Sequence, residues 1–376
     1  MTILIGGDLV PTSSNSELFI NAETESLLGG KLHKIWNNGA FRIFNLETPL
    51  DDHTNPIKKC GINFHASKKT INGIRELKPS LVTLSNNHIL DQGYGGLKST
   101  IDLLSKNHIP YIGVGNNKND AGKPFISNIG DRKVGFYACA EHEFSIATNN
   151  SPGANPFDPF DSLEHIEDLK KQCDYVIILY HGGKEYYRYP SPYLQKVCRK
   201  MIDKGADLVV CQHSHCIGCY EEYSGASIIY GQGNFIFDDT ESDFLKTSLI
   251  LEINLLNNYS INYIPVIKNG NKIRLAEEDE RSKILSEFQL RSEQILKQGF
   301  IEENYKLFAE KYLNNYLRSL SGLNKYVCLF DKYIFKGKLT NTLYKSKKLL
   351  AIQNYIECEA HRELLLEGVK NKINQD

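Results

Sequence analysis

LVTLSNNHILDQG, residues 81–93, holds the reading that decides the fold. Leu81 to Leu84 form an apolar run short enough to be a buried strand, and the run stops at Ser85, Asn86, Asn87 and His88, polar types suited to turns. Helical spacing then carries Gly96 to Lys106. Working outward, the same sequence of events recurs. Ile3 to Gly6 leads to Asp8, Phe41 to Phe44 to Asn45 and Glu47, Val176 to Tyr180 to His181, and Leu208 to Cys211 to His213 and His215. Ser162 to Gln172 and Pro192 to Lys204 read as further helices, and Tyr111 to Val114, Lys133 to Cys139 and Ser227 to Tyr230 as further strands. Short apolar runs alternating with amphipathic stretches are the pattern of an α/β domain. Open α/β sheets bind ligands beyond the carboxyl ends of their strands, which is where these polar groups fall.

The bulk properties agree with an ordinary globular protein. The 376 residues are 41% hydrophobic, enough for a sizeable core, and 44 basic against 45 acidic residues leave no global field to attract nucleic acid or an anionic membrane. The opening MTILIGGDLV lacks a basic segment followed by a long apolar one, and no run reaches the roughly 18 apolar residues of a membrane span. Nine scattered cysteines fit reduced thiols better than a disulfide framework. A cytoplasmic location is therefore expected. Residues 141–161, rich in Asn, Pro and Gly, read as a long loop bordering a site. After Asn269 and Gly270 the chain becomes charged, Tyr- and Leu-rich and helical in spacing, so the expected organisation is a main domain over 1–270 and a helical C-terminal region over 271–376.

Asp, Glu, His and an amide oxygen together suit a hard or borderline divalent ion, manganese, iron and zinc alike. A bridging carboxylate can hold two such ions, and a pair roughly 3.5–4 Å apart can grip phosphoryl oxygens and activate water for in-line displacement.

GGD at 6–8, NLETPL at 45–50, LSNNHILDQG at 84–93, HGGKE at 181–185, HSH at 213–215 and GNFIFD at 233–238 make the resemblance specific. In order and spacing these motifs resemble the CapA (poly-γ-glutamate capsule biosynthesis) family, a branch of the calcineurin-like metallophosphoesterase superfamily, over about residues 1–265. The resemblance implies a two-sheet α/β sandwich flanked by helices, with a dimetal site at one edge. It further implies that Asp8 and His215 bind one ion, Glu47 bridges, and Asn87, His181 and His213 bind the other. His88 would protonate the leaving oxygen, and Asp91 would orient it. Two divalent ions are expected, manganese first among them, with iron or zinc also accommodated. The implied role is phosphoester cleavage in capsule or surface-polysaccharide assembly, on a small-molecule or polymer substrate and beside capsule-biosynthesis proteins. The alternatives are a non-catalytic accessory subunit of a polymer-synthesising complex and a metal-dependent amide hydrolase acting on poly-γ-glutamate.

The sequence departs from the wider pattern at Val10, where the superfamily places a histidine, at Gln212, where relatives carry Gly, and in HGG at 181–183. Plainer readings stand beside several residues. Asn86 to His88 can cap the following helix, and Glu185 reads equally as a surface carboxylate paired with Lys184 or Arg188. Asn45 is expected to orient Glu47 or cap a turn, and Gly233 and Asn234 to shape the backbone beneath the site. His213 and His215, two apart, would share a side if the segment were extended. Cys216 and Cys219 form a CxxC lacking a partner pair, which argues against structural zinc. His65 and His142 read as loop histidines near the pocket.

Overall fold

The computed structural model describes residues 2–237, 240, 242, 244–255 and 259–375; Asp238 of the GNFIFD motif lies outside them. Contacts divide the chain into two compact units, Met1–Ile301 and Glu302–Asp376.

The first unit is a two-sheet α/β sandwich. Its larger sheet runs Lys272–Leu275, Ser260–Asn269, Thr247–Asn254, Thr2–Leu9, Phe41–Leu46, Leu81–Thr83 and Tyr111–Ile112, with Asn234–Ile236 alongside Thr2–Leu9. The second runs Tyr220–Tyr223, Ala226–Ile229, Leu208–Gln212, Tyr175–His181, Arg132–Ala140 and Phe125–Ile129. The larger sheet is parallel from Thr2–Leu9 to its Tyr111–Ile112 edge and antiparallel on the other side, whereas the second has a parallel centre and antiparallel margins. Strands covered on both faces read as continuous apolar runs, and residue parity sorts them. Ile3, Ile5, Ile43 and Leu81 of one sheet meet Phe136, Ile177, Leu179, Leu208 and Val210 of the other in the sandwich interior. Leu4, Phe44, Leu46 and Val82 face outward under the helices that carry Leu32, Trp36, Ile74 and Leu97. Val176, Ile178, Val209 and Cys211 face outward under Ile166, Leu194, Val197 and Met201. Each fully buried aliphatic side chain here contributes about 1.5–3 kcal/mol, so a change of strand register by one residue would misplace both layers at once.

Local signals explain the element ends near the site. Pro192–Asp203 starts with Pro at its first turn, and the Ser191 hydroxyl accepts from Leu194 N at 3.0 Å. The helix anticipated at Gly96 begins at Gly93 and runs to Lys106. Tyr111 to Val114 is interrupted at Gly113, whose φ is +84°; Val114–Gly115 turns away to pair with Gly153–Ala154 from the long 141–161 loop. The composition change after Asn269 and Gly270 falls at a hairpin turn, with Gly270 at φ +62°, and the chain returns as Lys272–Leu275. Glu278–Gln294 follows, and its Ile284 and Phe288 enter the sandwich core.

The second unit is helical: Lys325–Tyr333, Lys338–Leu343, Ser346–Glu357 and Glu359–Gln375 follow the long helix Phe300–Leu320. Within it, Asp331 is buried and accepts from Arg318 Nε at 3.3 Å, Leu339 N at 2.9 Å and Thr340 Oγ1 at 2.5 Å. No helix among the described residues is long and apolar enough to cross a membrane.

Candidate metal centre

Five strand ends deliver the side chains. Asp8 sits where the Thr2–Leu9 strand shifts register against both Phe41–Leu46 and Asn234–Ile236, a local bulge of the kind that re-aims a side chain. Gly7 makes the close approach to the last of these possible, since a Cβ there would lie 2.0 Å from Gly233 O. Glu47 follows Phe41–Leu46, Asn87 and His88 follow Leu81–Thr83, His181 ends Tyr175–His181, and His213 and His215 follow Leu208–Gln212.

Folding brings these groups together. His181 Nε2 lies 3.0 Å from Asn87 Oδ1, 3.1 Å from His213 Nδ1 and 3.2 Å from Glu47 Oε1. Asp8 Oδ2 lies 3.7 Å from His215 Nδ1 and accepts from His213 N at 3.2 Å. Two donor triads result, Glu47/His181/His213 and Asp8/Glu47/His215, each with donor atoms within 4.8 Å of one another, and Glu47 belongs to both. Atoms bound to one ion at about 2.0–2.3 Å stand at most roughly 4.6 Å apart, so the clusters have the dimensions of ion sites.

The donor chemistry fits as well. Both Glu47 carboxylate oxygens are buried without a hydrogen-bond partner, and burial, followed by the neighbouring Asp8 charge, pushes the group up to about 8. In its ionised form such a carboxylate needs a cation beside it, and without one it holds its proton to higher pH. Burial also depresses His181, and it holds His213 well below the ordinary imidazole range, helped by the neighbouring histidines. Both rings are thus kept neutral, the form that binds metal.

Hydrogen bonds from neighbouring side chains fix the candidate ligands. Asn45 is its hub: Nδ2 donates to Asp8 Oδ1 at 2.8 Å and lies 3.3 Å from His181 Nδ1, while Oδ1 accepts from Thr83 at 3.2 Å and from Asn86 at 3.0 Å. Asn45 therefore orients Asp8 and His181 rather than Glu47. Asn86 also donates to Leu46 O at 2.9 Å and accepts from His88 N at 3.1 Å, so it ties two loops together instead of capping the helix, which starts only at Gly93. Asn234 Oδ1 lies 2.8 Å from His215 Nδ1, a direct positioning contact beyond the backbone role expected of it. His213 and His215 have φ of +83° and +56°, left-handed backbone at both, so the segment is not the extended run that would put them on a shared side. Backbone strain of this kind gathers at functional sites.

His88 and Asp91 stand beside the triads. His88 Nδ1 is 2.6 Å from the buried Asp91 Oδ2, which also accepts from Phe64 N at 2.6 Å, and the Phe64 ring lies 4.2 Å from the imidazole. Lys59, which the sequence did not single out, reaches Asp91 Oδ1 at 2.5 Å and comes within 3.2 Å of His88 Nδ1. Its loop has no periodicity to flag it. Glu143 was missed for the same reason; it accepts from Asn87 Nδ2 at 3.2 Å and stands 3.8 Å from His213 Nε2. Glu185 forms a third donor group with His213 and His215, again within 4.8 Å, while Lys184 lies 3.8 Å from it and Arg188 pairs with Glu287 instead. Cys216 and Cys219 are buried thiols, Cys216 pushed up to about 12 by burial, and no cysteine joins a candidate metal group among the described residues.

The family model for "Bacterial capsule synthesis protein PGA_cap" matches residues 2–239. The chain is 32% identical over 224 residues to the capsule biosynthesis protein CapA of Bacillus anthracis, covering 57% of this chain and 54% of that protein. It is 30% identical over 181 residues to the PGA biosynthesis protein CapA of Bacillus subtilis, covering 47% of each. Over 227 residues it is 26% identical to a Mycobacterium tuberculosis protein named "Probable polyglutamine synthesis accessory protein", covering 57% of this chain and 60% of that one. The chain thus spans about half the length of the curated relatives it matches. Among solved structures, a phosphatase from Mycoplasma pneumoniae superposes with a TM-score of 0.46 at 12% identity, covering 72% of this chain and 94% of that one. A 5'-nucleotidase precursor from Thermus thermophilus gives 0.42 at 14% identity, over 76% and 58%.

Proposed function

This chain belongs to the family of bacterial capsule synthesis proteins, PGA_cap, and from that premise we propose that it is a metal-dependent phosphoesterase serving capsule-polymer synthesis. The observation that carries the reading is Glu47: a buried carboxylate with both oxygens unbonded, common to the triads with Asp8 and His215 and with His181 and His213. Asp8, Glu47 and His215 would hold one divalent ion, and Glu47, Asn87, His181 and His213 the other. Such ions supply Lewis acidity to a phosphoryl oxygen and make water acidic enough to attack at neutral pH.

The protein's own groups do the rest. His88, its Nδ1 held 2.6 Å from Asp91, delivers a proton to the departing oxygen from its other ring nitrogen. Lys59 and Phe64 N hold Asp91 in place, so the imidazole keeps one orientation. Asn45 does the same for Asp8 and His181.

The test is turnover of phosphomonoesters, phosphodiesters and sugar phosphates by metal-stripped protein refilled with manganese, iron or zinc, beside His88→Ala and His213→Ala. Metal-dependent turnover lost in both variants is expected. A second reading, an accessory role in polymer synthesis without turnover, is favoured by the name of the mycobacterial relatives; metal bound without turnover of phosphate or amide substrates would select it.

A further inference from the structure

We propose that Glu185 is an additional ligand of the metal centre, closing it on the side of His213 and His215; the inference rests on the metal-centre reading above. Glu185, His213 and His215 each present a donor atom within 4.8 Å of the others. This group shares His215 with the Asp8/Glu47 triad and His213 with the Glu47/His181 triad. The carboxylate therefore adjoins both ion sites.

Its position is built. Gly182 N donates to Gln212 O at 3.2 Å and Tyr186 N to Ser214 O at 3.0 Å. These two bonds flank Glu185 and bind its loop to the turn that carries both histidines. The carboxylate side chain is 36% exposed, and Lys184 Nζ at 3.8 Å is beyond hydrogen-bond reach, so the oxygens are not committed to that partner.

Coordination chemistry supplies the need. Asp8, Glu47 and His215 offer three protein groups, whereas zinc takes about four ligands and harder divalent ions about six. A further carboxylate at the rim completes the first site while leaving room for water and substrate. It also sets the charge: Asp8, Glu47 and Glu185 oppose two divalent ions with three negative charges, leaving a net positive centre that receives an anion.

The experiment is Mn²⁺ binding to metal-stripped protein by isothermal titration, with elemental analysis after dialysis, for the wild type, Glu185→Gln and His213→Ala. Glu185→Gln is expected to match the wild type in its metal-free melting curve and circular dichroism. Its Mn²⁺ affinity should drop at least about tenfold at one site, the least that even an outer-shell loss typically costs. Unchanged affinity and stoichiometry in Glu185→Gln, with binding lost in His213→Ala, would remove Glu185 from the ligand set and leave the centre standing. A wild type that binds no Mn²⁺ would overturn the metal reading and this inference together.

Discussion

Glu47→Gln in metal-stripped protein isolates the energetic cost of preparing the centre. Burial and the Asp8 charge raise Glu47 from 4.5 in the ordinary state to about 8 in the fold. A group raised in the folded state contributes its stability fully below the unfolded value and loses it as pH rises through the folded one. The relevant window is thus about 4.5 to 8, with stability falling by up to ~1.4 kcal/mol per pH unit and about 5 kcal/mol across it. From pH 6.5 to 8 the loss is about 2 kcal/mol. His181 and His213 act in the opposite sense: their depressed folded values give stability present above the unfolded value of 6.5 and lost as pH falls. They are common to both proteins and largely cancel in the difference. Urea denaturation of both proteins at pH 6.5, 7.25 and 8 should show the variant gaining on the wild type by about 2 kcal/mol, because glutamine keeps the shape without the charge. Saturating Mn²⁺ should reverse the order, since ligand at about a thousand times its Kd adds roughly 4 kcal/mol to whichever protein binds it. Parallel curves within about 0.5 kcal/mol would refute the idea that Glu47 is a buried charge awaiting a cation.

Wild-type Mn²⁺ affinity should rise between pH 6 and 8, because protons compete for Glu47; calorimetry should show up to ~tenfold weakening per pH unit below about 8, and a flat profile would count against a bridging Glu47. Lys59→Met should lower turnover roughly 10- to 100-fold by loosening Asp91 and His88 while Mn²⁺ affinity stays constant, and full activity would leave Lys59 a structural residue. Asn45→Ala leaves Asp8, Thr83 and Asn86 short of partners and should cost ~1–3 kcal/mol in urea denaturation even without metal. Gly7→Ala meets Gly233 O at 2.0 Å and should destabilise by at least ~1–3 kcal/mol; a melting temperature equal to wild type would contradict the close strand approach.

The strands and the residues just beyond them were legible from the chain because both are local properties. Apolar runs of strand length, polar turn residues and helical spacing depend on neighbours within a few positions. Leu81 to Leu84, Val176 to Tyr180 and Leu208 to Cys211 could be read this way, and the motif order carried the family. Tertiary structure alone decided which atoms meet. Asp8 and His213 are separated by 205 positions yet share a hydrogen bond, and nothing local dictates that contact. The left-handed backbone at His213 and His215, the hub role of Asn45, and the arrival of Lys59, Glu143 and Glu185 beside the site likewise depend on contacts between chain-distant segments. Local sequence sets what a segment is, whereas chain-distant burial sets what it faces, and a multi-loop centre exists only in the second.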